Sequence, residues 1–140
     1  MINLKPRALV VEDEEHIKDL LSYILESIGF EITGTADNGQ TALELLQSQK
    51  PDLAVMDINM PYLSGTEVLK RCDCAEETCI IMLTALTDED TVKECLSLGV
   101  SYFIRKDTPV PKMIELIKKT WENFYNQKTN FPKEDKSLTF

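Results

Sequence analysis

Apolar positions along this chain switch between two spacings. Ala8–Val11, Leu53–Met56, Cys79–Leu83 and Tyr102–Ile104 are short apolar runs. Between them apolar residues recur every three or four positions. Ile17, Leu20, Leu21, Ile24, Leu25 and Ile28 mark one helix face, which Gly29 closes. Phe30, Ile32 and Gly34 alternate with Glu31 and Thr33, as in a half-exposed strand. Thr41–Ser48 predicts a short second helix, with Pro51 ahead of the next strand. Ser64-Gly65-Thr66-Glu67 is a capping-box start for a third helix. Val92, Cys95 and Leu96 mark a fourth, closed by Gly99. Thr108-Pro109 opens a fifth, whose stripe is Val110, Met113, Ile114, Ile117, Trp121 and Phe124.

Five strand–helix units follow. The runs at Ala8, Leu53 and Cys79 are apolar throughout, as strands covered on both faces should be. Those at Phe30 and Tyr102 carry polar residues and read as edges. With right-handed crossovers, the expected strand order is 2-1-3-4-5. That is an α/β fold of flavodoxin-like type, a doubly wound five-stranded parallel sheet with five helices.

The chain's 140 residues suit one domain that folds without disulfide or structural metal. Residues 1–127 are expected to form it. The chain turns polar and loses periodicity from about Asn126, so 128–140 reads as a polar tail or linker stub. A net charge of −9 without a basic stripe argues against direct nucleic-acid binding. No apolar run exceeds five residues, so neither a membrane span nor a secretory signal is expected. Cys72, Cys74, Cys79 and Cys95 are then expected to be reduced thiols in a cytoplasmic protein. Zinc is disfavoured, because Cys72 and Cys74 are tightly spaced and His16, the only histidine, is remote in sequence.

In a parallel sheet the carboxyl ends of the strands share one edge, where open α/β sheets bind ligands. Glu12-Asp13 follow the first run, Asp57 the second and Thr84 the third, while Lys106 lies just past the last. Each has an ordinary explanation alone: a helix cap, a turn cap, a strand-end hydroxyl, a solvated charge. Together they gather like charges that repel by about 4 kcal/mol per pair at about 4 Å and an effective dielectric of about 20. A cation or a reaction would explain their presence.

The motifs resemble those of the receiver domains of two-component response regulators. The pair Glu12-Asp13, the run Asp57-Ile58-Asn59-Met60-Pro61 with Gly65, the pair Thr84-Ala85, and Gly99 followed by Phe103 and Lys106 stand in that family's order. The likeness covers about Arg7 to Gln127. It implies that Asp57 is a phosphoacceptor, attacking the phosphohistidine of a sensor histidine kinase or phosphotransfer protein. It implies Mg²⁺ held by Asp13, Asp57 and the Asn59 carbonyl, with Glu12 acting through water. Lys106 would balance phosphoryl charge and Thr84 would bind its oxygens. Thr84 and Phe103 would form a switch acting on the face of the fourth helix, fifth strand and fifth helix. The outcome would be altered contacts with a downstream protein, or a phosphorylation-dependent homodimer, in a signalling switch rather than an enzyme. A domain of a longer transcription regulator and a phosphate sink are the alternatives.

Three features depart from the family pattern. Asp107 stands where many members have proline, Leu86 offers no polar group to orient water, and Phe103 lacks the hydroxyl of the commoner tyrosine. Two rival chemistries fit less well. A phosphohydrolase would want an acid at Asn59, and a flavin-binding module would not place Glu12-Asp13-Glu14-Glu15 after its first strand.

Overall fold

A computed structural model describes residues 5–85 and 88–138, with side chains to residue 128. Leu86 therefore lies outside the described residues. Strands and helices alternate as β1 (Arg7–Val11), α1 (Glu15–Ser27), β2 (Glu31–Ala36), α2 (Gly39–Gln49), β3 (Leu53–Asp57), α3 (Gly65–Cys72), β4 (Cys79–Thr84), α4 (Glu89–Ser97), β5 (Tyr102–Arg105) and α5 (Val110–Leu138). All neighbouring strands are parallel, in the order β2-β1-β3-β4-β5. This is the flavodoxin-like arrangement expected from the periodicity.

Side-chain alternation splits the core between the two faces of the sheet. Leu9, Val11, Ala54, Met56, Ile80 and Met82 pack against Ala42, Leu46, Val68, Leu69 and Cys95 of α2, α3 and α4. Ala8, Val10, Leu53, Val55, Ile81 and Leu83 pack against Leu21, Ile24 and Leu25 of α1 and Met113 and Ile117 of α5. The central strands β3 and β4 are therefore buried along their whole length and β1 from Ala8 onward, their polar residues standing only at strand ends (Arg7, Asp57, Thr84), while β2 and β5 are partly exposed.

Helix ends follow the local signals. Ser64 Oγ accepts from Glu67 N at 3.2 Å, and Asn38 Oδ1 accepts from Thr41 N at 2.9 Å. Gly29 (φ 106°) and Gly99 (φ 98°) take the left-handed conformation after α1 and α4.

Two expectations are corrected. Cys72 and Cys74 are joined in a disulfide, so only Cys79 and Cys95 are free thiols, both buried. Asp73, the C-cap of α3 with φ 55°, turns the chain back and brings the two Cα atoms to 5.2 Å. Overall cysteine usage could not show this local reversal. Second, α5 does not end near Gln127 but runs on to Leu138. The backbone stays helical past the end of the apolar stripe at Phe124, and no glycine follows to stop it.

Candidate functional site

The strand ends converge because their registers are in step. Val11 lies beside Met56 and Met56 beside Met82, so the next residues leave the sheet together. Backbone bonds hold the roots of the side chains just beyond. Glu12 N donates to Ala36 O at 2.9 Å, Ile58 N to Leu83 O at 3.2 Å and Lys106 N to Thr84 O at 2.9 Å.

Asp57 is buried, with 4% of its surface exposed. Its Oδ1 accepts from Asn59 N at 3.1 Å and its Oδ2 from Lys106 Nζ at 2.9 Å. The first bond is an Asx turn, so the turn-capping role and the site role coexist. Glu12 is fully buried, and its Oε2 accepts from Glu14 N at 3.1 Å and from Lys106 Nζ at 3.2 Å. Lys106 Nζ is also 3.2 Å from Oε1, yet Oε1 has no hydrogen-bond donor among the described residues. Asp13 is exposed, and one carboxylate oxygen from each of Glu12, Asp13 and Asp57 lies within 4.8 Å of the others. Helix capping does not account for this group. The N-cap of α1 is Glu14, which makes no side-chain cap bond.

At this spacing each carboxylate pair repels by roughly 3 kcal/mol for an effective dielectric of about 20. One ammonium, Lys106, compensates. Burial raises the Glu12 pKa from its ordinary value, and the Asp57 charge adds to this, while Glu14 N–H and Lys106 oppose it. Between the ordinary and the raised value the folded chain holds the extra proton. The Glu12 contribution to stability therefore falls as pH rises through that window. Burial alone would lower the Lys106 pKa, but its bonds to Asp57 and Glu12 outweigh burial and raise it. Lys106 thus remains a cation at neutral pH.

A buried carboxylate oxygen without a donor, beside two further carboxylates, is a fitting set for a hard divalent cation. Mg²⁺ takes oxygen ligands and keeps several waters, so few protein ligands suffice. Glu12, Asp13 and Asp57 are the side chains that could hold it.

The remaining candidates sit around this group. Asn59 is exposed and contributes its backbone N–H. Thr84 is buried at the end of β4, opposite Arg105 of β5. Phe103 lies beside Met82 and packs, half-buried, on the α2–α4 side of the sheet. Where the family pattern has proline, Asp107 binds Arg105 in a paired contact of 3.0 and 2.9 Å, which lowers the Asp107 pKa. His16 is exposed on α1, away from this role.

Sequence reasoning does not reveal Gly39. A Cβ there would meet Leu63 O at 1.9 Å, so only glycine lets the start of α2 touch the β3–α3 loop. The Asn38-Gly39 pair is the only sign of it. Gly65 has a similar role, since its Cβ would come within 3.1 Å of Asp57 O.

The site is thus a lysine ammonium bridging two buried acids at the carboxyl edge of a parallel sheet of order 2-1-3-4-5. The model of the response regulator receiver domain matches residues 8–118, and the chain belongs to that family. Such domains are signalling modules of two-component systems, which typically bind Mg²⁺ at an acidic pocket and interact with histidine kinases or phosphotransfer proteins. The chemotaxis protein CheY of Bacillus subtilis is 33% identical over 115 residues, 81% of this chain and 96% of that protein. A protein-glutamate methylesterase/protein-glutamine glutaminase of Bacillus licheniformis is 35% identical over 103 residues, 71% of this chain and 29% of that protein. The chain thus spans less than a third of the methylesterase. A CheY-like receiver domain from Methanospirillum hungatei superposes with a TM-score of 0.80 at 26% identity, covering 89% of this chain and 99% of that one. No described helix is long and apolar enough to cross a membrane.

Proposed function

We propose that Asp57 accepts a phosphoryl group from a phosphohistidine and that this changes the protein contacts of the domain. The observation that carries the reading is the Lys106 ammonium, bonded at once to buried Asp57 and buried Glu12. In the transfer, an Asp57 carboxylate oxygen forms a bond to phosphorus and the P–N bond breaks, the electron pair leaving on the imidazole nitrogen. A carboxylate is a weak nucleophile toward a charged phosphoryl group, so alignment and charge neutralisation must do most of the work. The Asn59 N–H and the Lys106 ammonium orient the Asp57 carboxylate. Mg²⁺ held by Asp13, Asp57 and the Asn59 carbonyl, with Glu12 through water, would supply neutralising charge to the phosphoryl oxygens. Lys106 then moves its bond from carboxylate to phosphoryl oxygen, and the Thr84 hydroxyl binds another.

The donor is a sensor histidine kinase or a histidine phosphotransfer protein. Thr84 and Phe103 form the two-position element, and α4, β5 and α5 form the surface it alters for a downstream protein. A change at Asp57 can act remotely only by biasing such an element. Tyr102 and Leu96, both exposed, offer apolar contact area on β5 and α4.

Incubation with phosphoramidate and Mg²⁺ should add the mass of one phosphoryl group to the intact chain. Asp57→Asn should abolish the gain, as should a chelator. Equal labelling of Asp57→Asn would refute the assignment.

A further inference from the structure

The loop that carries Asp57 also carries a strained and exposed aromatic side chain. Among the described residues, three non-glycine positions have positive φ: Lys50, Asp73 and Tyr62. Lys50 and Asp73 are the C-caps of α2 and α3, where a left-handed residue ends the helix. Tyr62 caps nothing. It is the centre of a three-residue turn, with φ 69° and Leu63 N donating to Pro61 O at 2.7 Å. A γ-turn with positive φ at its centre is the rare, strained form, and a bulky residue there is a steric outlier.

Neighbouring backbone contacts hold the loop in this form. Gly65 N donates to Ile58 O at 2.8 Å and Gly39 N to Pro61 O at 3.4 Å. Leu63 O lies where a Cβ on Gly39 would be. Glycine or asparagine would occupy the same turn at lower cost. Nor does the ring stabilise the fold by packing, since Tyr62 is 89% exposed. Two penalties, strain and an exposed ring, fall on one residue of the loop that begins at Asp57. Backbone strain held in place by its neighbours is characteristic of functional positions.

We propose that Tyr62 is a specificity-determining contact for the protein that donates the phosphoryl group. This rests on the phosphoacceptor reading of Asp57. A protein that presents phosphohistidine to the buried Asp57 carboxylate must cover the carboxyl edge of the sheet, and the β3–α3 loop is part of that edge. An exposed tyrosine held by a rigid turn offers a large contact with little conformational freedom to lose, as interface hot spots do. The fitting partner therefore carries apolar side chains beside its phosphohistidine.

The test compares two donors. One is phosphoramidate, which is too small to reach the ring. The other is a purified, autophosphorylated histidine kinase core, selected from a panel as the fastest donor to the wild-type chain. For Tyr62→Gly and Tyr62→Asn, the ratio of kinase-driven to phosphoramidate-driven rate should fall at least tenfold, while the melting temperature rises. Tyr62→Phe should keep the ratio near wild type, since the ring provides the contact. A wild-type ratio in Tyr62→Gly would overturn the inference while leaving the phosphoacceptor reading intact. Absence of labelling of the wild-type chain by phosphoramidate would overturn both.

Discussion

The two edges of the sheet resolve the same problem, polar groups at the ends of buried strands, in opposite ways. At the amino edge the groups pair almost completely. Arg7 N donates to Asp52 Oδ2 at 2.8 Å, and its guanidinium donates to the carbonyls of Gln49 and Lys50. Thr78 Oγ1 donates to Pro51 O at 2.7 Å, and Cys79 N to Asp52 O at 2.9 Å. The buried atom left over near this edge, Gln49 Oε1, is neutral. At the carboxyl edge three carboxylates crowd together, Lys106 reaches only Glu12 and Asp57, and Glu12 Oε1 has no hydrogen-bond donor among the described residues. Folding alone favours the first arrangement. The second persists where its unsatisfied charge has a use, and stability is commonly traded for activity at such places.

The largest expected effect comes from removing the one cation. Lys106→Met leaves Glu12 and Asp57 buried without compensation, and breaking a buried pair in this way costs about 3 kcal/mol or more. Urea unfolding at neutral pH in chelator measures it. A loss under about 1 kcal/mol would put the pair in the surface class and erase the contrast between the edges.

An intermediate effect belongs to the amino edge. Thr78→Val strips the buried Pro51 carbonyl of its donor, at a cost of about 1–2 kcal/mol. Phosphoramidate labelling of this variant should match wild type, because Thr78 lies at the opposite end of β4 from Thr84. Slowed labelling would mean that the two edges are coupled.

The smallest effect has the opposite sign. Asp13→Ala removes repulsion without removing a helix cap, so the metal-free protein should gain up to about 1 kcal/mol, discounted because Asp13 is exposed. Its melting temperature in chelator should rise by a few degrees, while the Mg²⁺-dependent rise shrinks. A clear drop in chelator would restore helix capping as the role of Asp13.

Most of the architecture was legible in the pattern of residues. Continuous apolar runs marked β1, β3 and β4, and alternation marked β2, because the burial of each strand sets its pattern. The acidic and basic candidates could be grouped for a related reason: parallel strands deliver their carboxyl ends to one edge. Less legible were features made by close backbone approach. Nothing in a linear pattern shows that Gly39 faces Leu63 or that Asp73 folds Cys74 back onto Cys72. The extension of α5 beyond Gln127 was likewise hidden, since a helix without an apolar stripe gives no periodic signal.

Strand order, the two-sided core and the membership of Glu12, Asp13, Asp57 and Lys106 in one site were determined by sequence, because periodicity and crossover handedness admit few arrangements. Tertiary structure decided the rest. Only there does Lys106 bridge Glu12 and Asp57 across chain separations of 94 and 49 residues, and only there is Tyr62 held outward in a turn that its own side chain disfavours. Distances and backbone strain of this kind arise from how distant segments meet, and no local pattern records them.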